Sequence, residues 1–76
     1  RQDYNASLAE FDKLVRNYPY SPKVADSLLK MSYIQSEKKN WTEARSLLAK
    51  ITQEHSGSGA AAQATKRLDL LRQKGH

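Results

Sequence analysis

Cysteine is absent from this 76-residue chain, which excludes disulfides and thiolate metal sites and fits a periplasmic or a cytosolic setting equally. Glycine occurs three times and proline twice, so turns are few and the elements between them long. No apolar run approaches the roughly 20 residues that a membrane-crossing helix needs. There is no glycine-rich phosphate loop, no His-Glu metal spacing and no nucleophile beside a base. The residues therefore point to no catalysis, no metal and no cofactor. The chain starts at Arg1 without an initiator Met or a signal peptide, which reads as an excised fragment whose targeting information lies elsewhere.

At this length there is room for one small domain. Folding a chain of this size removes only roughly 60% of the unfolded surface from water, so further repeats or subunits are expected to cover the ends. Apolar residues make up 38% and charged residues 28%, as in a soluble helical domain. The net charge of +5 admits nucleic acid or anionic lipid as partners. The basic residues are scattered, however, and several sit near acids at helical spacing, such as Arg16 with Asp12 and Lys50 with Glu54. A solvated surface is the simpler account.

Apolar spacing predicts four helices. In the first, from about Asp3 to Asn17, Tyr4, Leu8, Phe11 and Leu14 or Val15 form one stripe, and Pro19 ends it. The second opens at Ser21-Pro22, a cap residue before a favoured first helical residue. Its core stripe is Val24, Leu28 and Met31, and it ends near Lys39-Asn40, where Asn40 can turn left-handed. The third begins with the capping-box string Asn40-Trp41-Thr42-Glu43 and carries Trp41, Ala44, Leu47 or Leu48, and Ile51. After the loop Ser56-Gly57-Ser58-Gly59, in which Ser58 can cap, the fourth carries Ala61, Ala64, Leu68 and Leu71 and stops at Gly75. Short turns imply antiparallel hairpins, and the fold class expected is all-α.

Shifted by 37 residues, the chain overlays on itself. Tyr4 falls on Trp41, Phe11 on Leu48, Leu14 on Ile51, Tyr18 on His55, Ser21 on Ser58, Ala25 on Ala62 and Met31 on Leu68. One period covers aromatic, core and cap positions alike, which indicates a helix-pair solenoid. The division expected is a half repeat over 1–20, a full repeat over 21–56 and a half repeat or cap over 57–76.

Leu28, Met31, Ser32, Ala44, Leu48 and Ile51 follow the large-large-small, then small-large order of tetratricopeptide repeats. The strings N-Y-P-Y-S-P-K-V-A-D (17–26) and K-R-L (66–68) resemble the C-terminal end of the Tol-Pal accessory (YbgF/CpoB) family. Lys39 stands where a repeat usually has glycine, Ser32 where helices cross on glycine, and Ser56-Gly57 where the preceding repeat has its aromatic-Pro turn. BamD-like lipoproteins share the Y-P-x-S-P turn and are the alternative. The Tol-Pal resemblance implies a periplasmic adaptor with a trimerising N-terminal coiled coil, absent here, hence a homo-oligomer. It implies TolA and a bifunctional penicillin-binding protein as partners. It further implies a role in coordinating peptidoglycan synthesis with outer-membrane constriction at cell division.

The expected core is Phe11, Leu28, Met31, Trp41, Ala44, Leu48, Ile51 and Leu68. A second stripe on the second helix comprises Asp26, Leu29, Tyr33 and Ser36 or Glu37. It recurs on the fourth as Gln63, Lys66, Leu70 and Gln73 or Lys74. These positions correspond to the concave groove of tetratricopeptide repeats and are the expected partner-binding surface, although packing between helices would explain Leu29, Tyr33 and Leu70 as well. Trp41 is either a binding anchor or packing, with packing favoured. His55 is expected to pack or cap its turn, Tyr18 and Tyr20 to pack around Pro19, and the terminal His76 to be disordered.

Overall fold

A computed structural model describes residues 3–76. Arg1 and Gln2, where the expected first half repeat begins, lie outside the described residues. The chain forms α1 (Tyr4–Asn17), α2 (Val24–Glu37), α3 (Trp41–Glu54) and α4 (Gly59–Gln73), with no strand among the described residues. Both bounds of α3 lie 37 residues beyond those of α1. The two helices also end alike: the Tyr18 N–H donates to the Leu14 carbonyl and the His55 N–H to the Ile51 carbonyl, each at 2.9 Å.

Local chemistry sets the ends. The Asp3 carboxylate accepts the Ala6 N–H at 3.1 Å and caps α1. Ser58 does the same for α4, its hydroxyl oxygen accepting the Ala61 N–H at 3.1 Å. Ser21 does not cap α2 as its position suggested. Its hydroxyl accepts the Lys23 N–H at 3.2 Å and its carbonyl the Val24 N–H at 3.1 Å. Serine is closing a tight local turn here, and the helix starts three residues later. The Asn40 side chain forms no capping box either: Asn40 holds the cap position of α3, but its amide donates to the Gln35 side-chain oxygen at 2.9 Å.

Two helices share a C-terminal device. At the end of α2 the Asn40 N–H donates to the Gln35 carbonyl and the Lys39 N–H to the Ser36 carbonyl, with Lys39 at φ 63°. At the end of α4 the His76 N–H donates to the Leu71 carbonyl and the Gly75 N–H to the Arg72 carbonyl, with Gly75 at φ 79°. Both are Schellman motifs. The left-handed residue after α2 is thus Lys39 and not Asn40, because Asn40 begins α3 and sits at φ −87°.

The core follows from which helices have neighbours on two sides. α2 packs on α1, α3 and α4, and α3 on α2 and α4, whereas α1 meets only α2 among the described residues. Val24, Ala25, Leu28 and Leu29 of α2, Ala44, Leu48 and Ile51 of α3, and Ala60, Ala61, Ala64 and Leu71 of α4 are buried. Met31, Trp41 and Leu68 are half-buried against this cluster. Phe11, expected in the core, is only half-buried. Leu14 and Val15 are the α1 residues that pack on the cluster, and Lys30 Nζ lies 5.9 Å from the Phe11 ring. Ser32 is buried, and its hydroxyl donates to the Leu29 carbonyl at 2.6 Å, so burial leaves no polar atom unmet there. Ala62, which overlays Ala25 in sequence, is exposed where Ala25 is buried: α4 lacks the following helix that would enclose that side among the described residues.

Candidate functional site

α2 and α4 touch directly, and their C-terminal halves border a cleft of about 270 Å³ lined by Ser36, Glu37, Lys39, Trp41, Arg67, Leu70, Leu71, Lys74 and His76. Its apolar surface comes from Trp41, Leu70 and Leu71. Leu71 is buried, while Leu70 is 44% exposed. The His76 imidazole lies flat on the Trp41 indole, centroids 3.9 Å apart and 11° from parallel. The backbone explains how His76 reaches it. Gly75 reverses the chain, and the His76 N–H is tied to the Leu71 carbonyl.

Beside the cleft, the Arg67 guanidinium stands 4.7 Å from the centroid of the Tyr33 ring, a cation–π contact that joins α4 to α2. The lining carries three fixed cations, Lys39, Arg67 and Lys74, and one carboxylate, Glu37. The ion pairs formed among the described residues are Arg16 with Asp12 and Arg72 with Asp69. None of the three cations of the lining belongs to these pairs, and guanidinium and ammonium groups favour carboxylates. No group of acidic or histidine side chains among the described residues could hold a metal ion, and no helix among them is long and apolar enough to cross a membrane.

The structure divides the expected groove. Glu37, Leu70 and Lys74 line the cleft, and Tyr33 borders it through Arg67. Asp26, Gln63 and Lys66 are exposed but lie outside the cleft lining. Leu29 is withdrawn from any partner: it is 8% exposed and belongs to the core cluster, because α2 has helices on three sides and buries its second stripe as well. Five lining residues, Lys39, Trp41, Arg67, Leu71 and His76, did not stand out as groove residues in the sequence. Trp41 packs on the core cluster, the reading favoured from sequence, and also lines the cleft. His76 is stacked, not disordered. His55 serves its turn, accepting the Ser58 hydroxyl at 2.7 Å through its carbonyl. Tyr18 and Tyr20 do not pack around Pro19: they are 65% and 97% exposed, because no helix beyond the α1–α2 hairpin flanks that turn among the described residues.

Helix hairpins stacked with a direct contact between alternate helices define a helical-repeat fold. The family model that matches is the tetratricopeptide repeat, over residues 26–58, a span that contains nearly all of α2 and the whole of α3. No curated protein and no solved structure shows a significant match to the chain. The fold is all-α and tetratricopeptide-like, and repeats of this kind are typically non-catalytic modules of protein–protein interaction.

Proposed function

We propose that the chain binds a segment of a partner protein along the face shared by α2 and α4, as part of a periplasmic adaptor of the Tol-Pal accessory type that couples cell-wall synthesis to outer-membrane constriction. The observation that carries the binding reading is the cleft itself, where exposed Leu70 and half-buried Trp41 lie among cations that form no ion pair among the described residues. The Tol-Pal part rests on resemblance in the strings N-Y-P-Y-S-P-K-V-A-D and K-R-L. It makes TolA the first candidate partner and a bifunctional penicillin-binding protein the second. On this reading residues 21–56 are a full repeat between two half repeats.

Calorimetric titration of TolA fragments into the wild-type chain, Tyr33→Ala and Lys66→Ala is the test, with circular dichroism establishing that each variant is folded. Aromatic anchors dominate such interfaces, so Tyr33→Ala is expected to weaken binding most. Lys66, outside the cleft, is expected to alter mainly the salt dependence. Absence of TolA binding to the folded wild type would end the Tol-Pal assignment. Unchanged affinity in folded Tyr33→Ala would move the binding surface to the face carrying α1 and α3.

A further inference from the structure

We infer that the cleft seats one bulky apolar side chain of an acidic peptide segment, with the carboxylates flanking that side chain held by Arg67, Lys74 and Lys39. This rests on the α2–α4 face being the binding surface, and names what the surface selects.

The volume sets the size of the occupant. At about 270 Å³ the cleft falls just under the roughly 300–1,000 Å³ typical of drug-sized ligand sites, which suits a single large side chain and not a whole helix. The walls set its polarity: Leu70, Leu71 and Trp41 form an apolar surface, and Leu70 in particular stays exposed. The rim sets the charge of the flanks. Three cations face one carboxylate, so an acidic segment is drawn in and a basic one is repelled. Arg67 is already positioned by its contact with the Tyr33 ring, so less side-chain freedom is lost when it grips a carboxylate. Nucleic acid fits less well. Single strands bind by stacking bases on open aromatic faces along a basic track, but one face of Trp41 is already covered by His76, and the remaining basic residues are scattered along the chain.

Trp41 is the sole tryptophan and stands in the cleft wall, so its emission reports occupancy without a label. The probes are an acetylated, amidated peptide Glu-Asp-Glu-Phe-Asp-Glu-Asp, a second with serine for phenylalanine, a third with lysine for every acid, and oligothymidylate. The acidic Phe peptide is expected to change Trp41 emission and to shift the amide resonances of Glu37, Arg67, Leu70 and Lys74. Its affinity should fall with added salt, and by tenfold or more in Lys74→Glu and Arg67→Glu, both checked by circular dichroism. Binding at least tenfold weaker is expected for the serine and lysine peptides. Equal binding of either control at the same resonances overturns the ligand chemistry and leaves the α2–α4 surface in place. The same holds if TolA fragments shift these resonances and no peptide does. If neither TolA nor any peptide shifts them, the surface reading falls together with the inference. Tighter binding of oligothymidylate than of the acidic Phe peptide at the cleft overturns it in favour of nucleic acid.

Discussion

The imidazole of His76 lies nearly parallel to the indole of Trp41 at a centroid separation of 3.9 Å, which ties the third residue past α4 to the first residue of α3. Stacked aromatic pairs contribute about 0.5–1.5 kcal/mol beyond the area they bury. His76→Ala is therefore expected to lower stability by about that amount and to move the emission of the single tryptophan to longer wavelength as the ring meets water. Emission unchanged by the substitution would mean that the stack is not kept in solution.

Leu48 is 1% exposed and belongs to the core cluster of α2, α3 and α4. Truncating a fully buried leucine costs the transfer energy of the lost atoms and leaves a cavity, so Leu48→Ala should destabilise by about 2–5 kcal/mol in urea denaturation. A midpoint that barely moves would place Leu48 on the surface and break the helix register.

Lys39 holds a left-handed conformation, φ 63°, at a position where the α4 motif uses Gly75. A non-glycine residue there bears about 1–2 kcal/mol of steric cost, partly offset by the roughly 0.5–1 kcal/mol of extra chain entropy that glycine loses on folding. Lys39→Gly should therefore raise the thermal midpoint, with a net gain of up to about 1.5 kcal/mol, and Lys39→Val should lower it. A glycine variant less stable than wild type would show that the lysine side chain contributes more than its backbone costs.

The two caps of unequal geometry give a paired comparison. The Ser58 hydroxyl accepts the Ala61 N–H, whereas the Asn40 side chain makes no cap bond to α3. Ser58→Ala is expected to cost about 0.5–2 kcal/mol, and Asn40→Ala distinctly less. Denaturation curves ranking the two in the opposite order would contradict the assigned caps.

These residues also show what the sequence makes legible. The bounds of α1 and α3 follow from apolar spacing and from Pro19, because each helix has one stripe to bury. Ser58 was readable as a cap, and Leu28, Ala44, Leu48 and Ile51 as interior, because their period is that of a helix. Leu29 was not readable, since spacing reveals a second stripe but not that α2 has three neighbours to bury it. The Arg67–Tyr33 contact depends on how α4 lies against α2, which no local pattern encodes. His76 did carry a signal: a glycine just past a helix end in a Schellman motif ties the next N–H back to the helix, and that bond places the ring on Trp41. Tyr18 and Tyr20 flank a proline turn that none of the described helices encloses.

Which face the partner contacts is decided by two substitutions. Leu70→Glu places a charge repelling an acidic segment on the exposed apolar wall of the cleft, and Gln53→Glu puts the same side chain at an exposed position of α3. With both variants folded by circular dichroism, the measurement is the dissociation constant for TolA fragments by calorimetry. Binding weakened at least tenfold by Leu70→Glu, and left unchanged by Gln53→Glu, is the result expected. Binding that survives Leu70→Glu and is lost in Gln53→Glu would contradict this assignment and move the interaction to the opposite face.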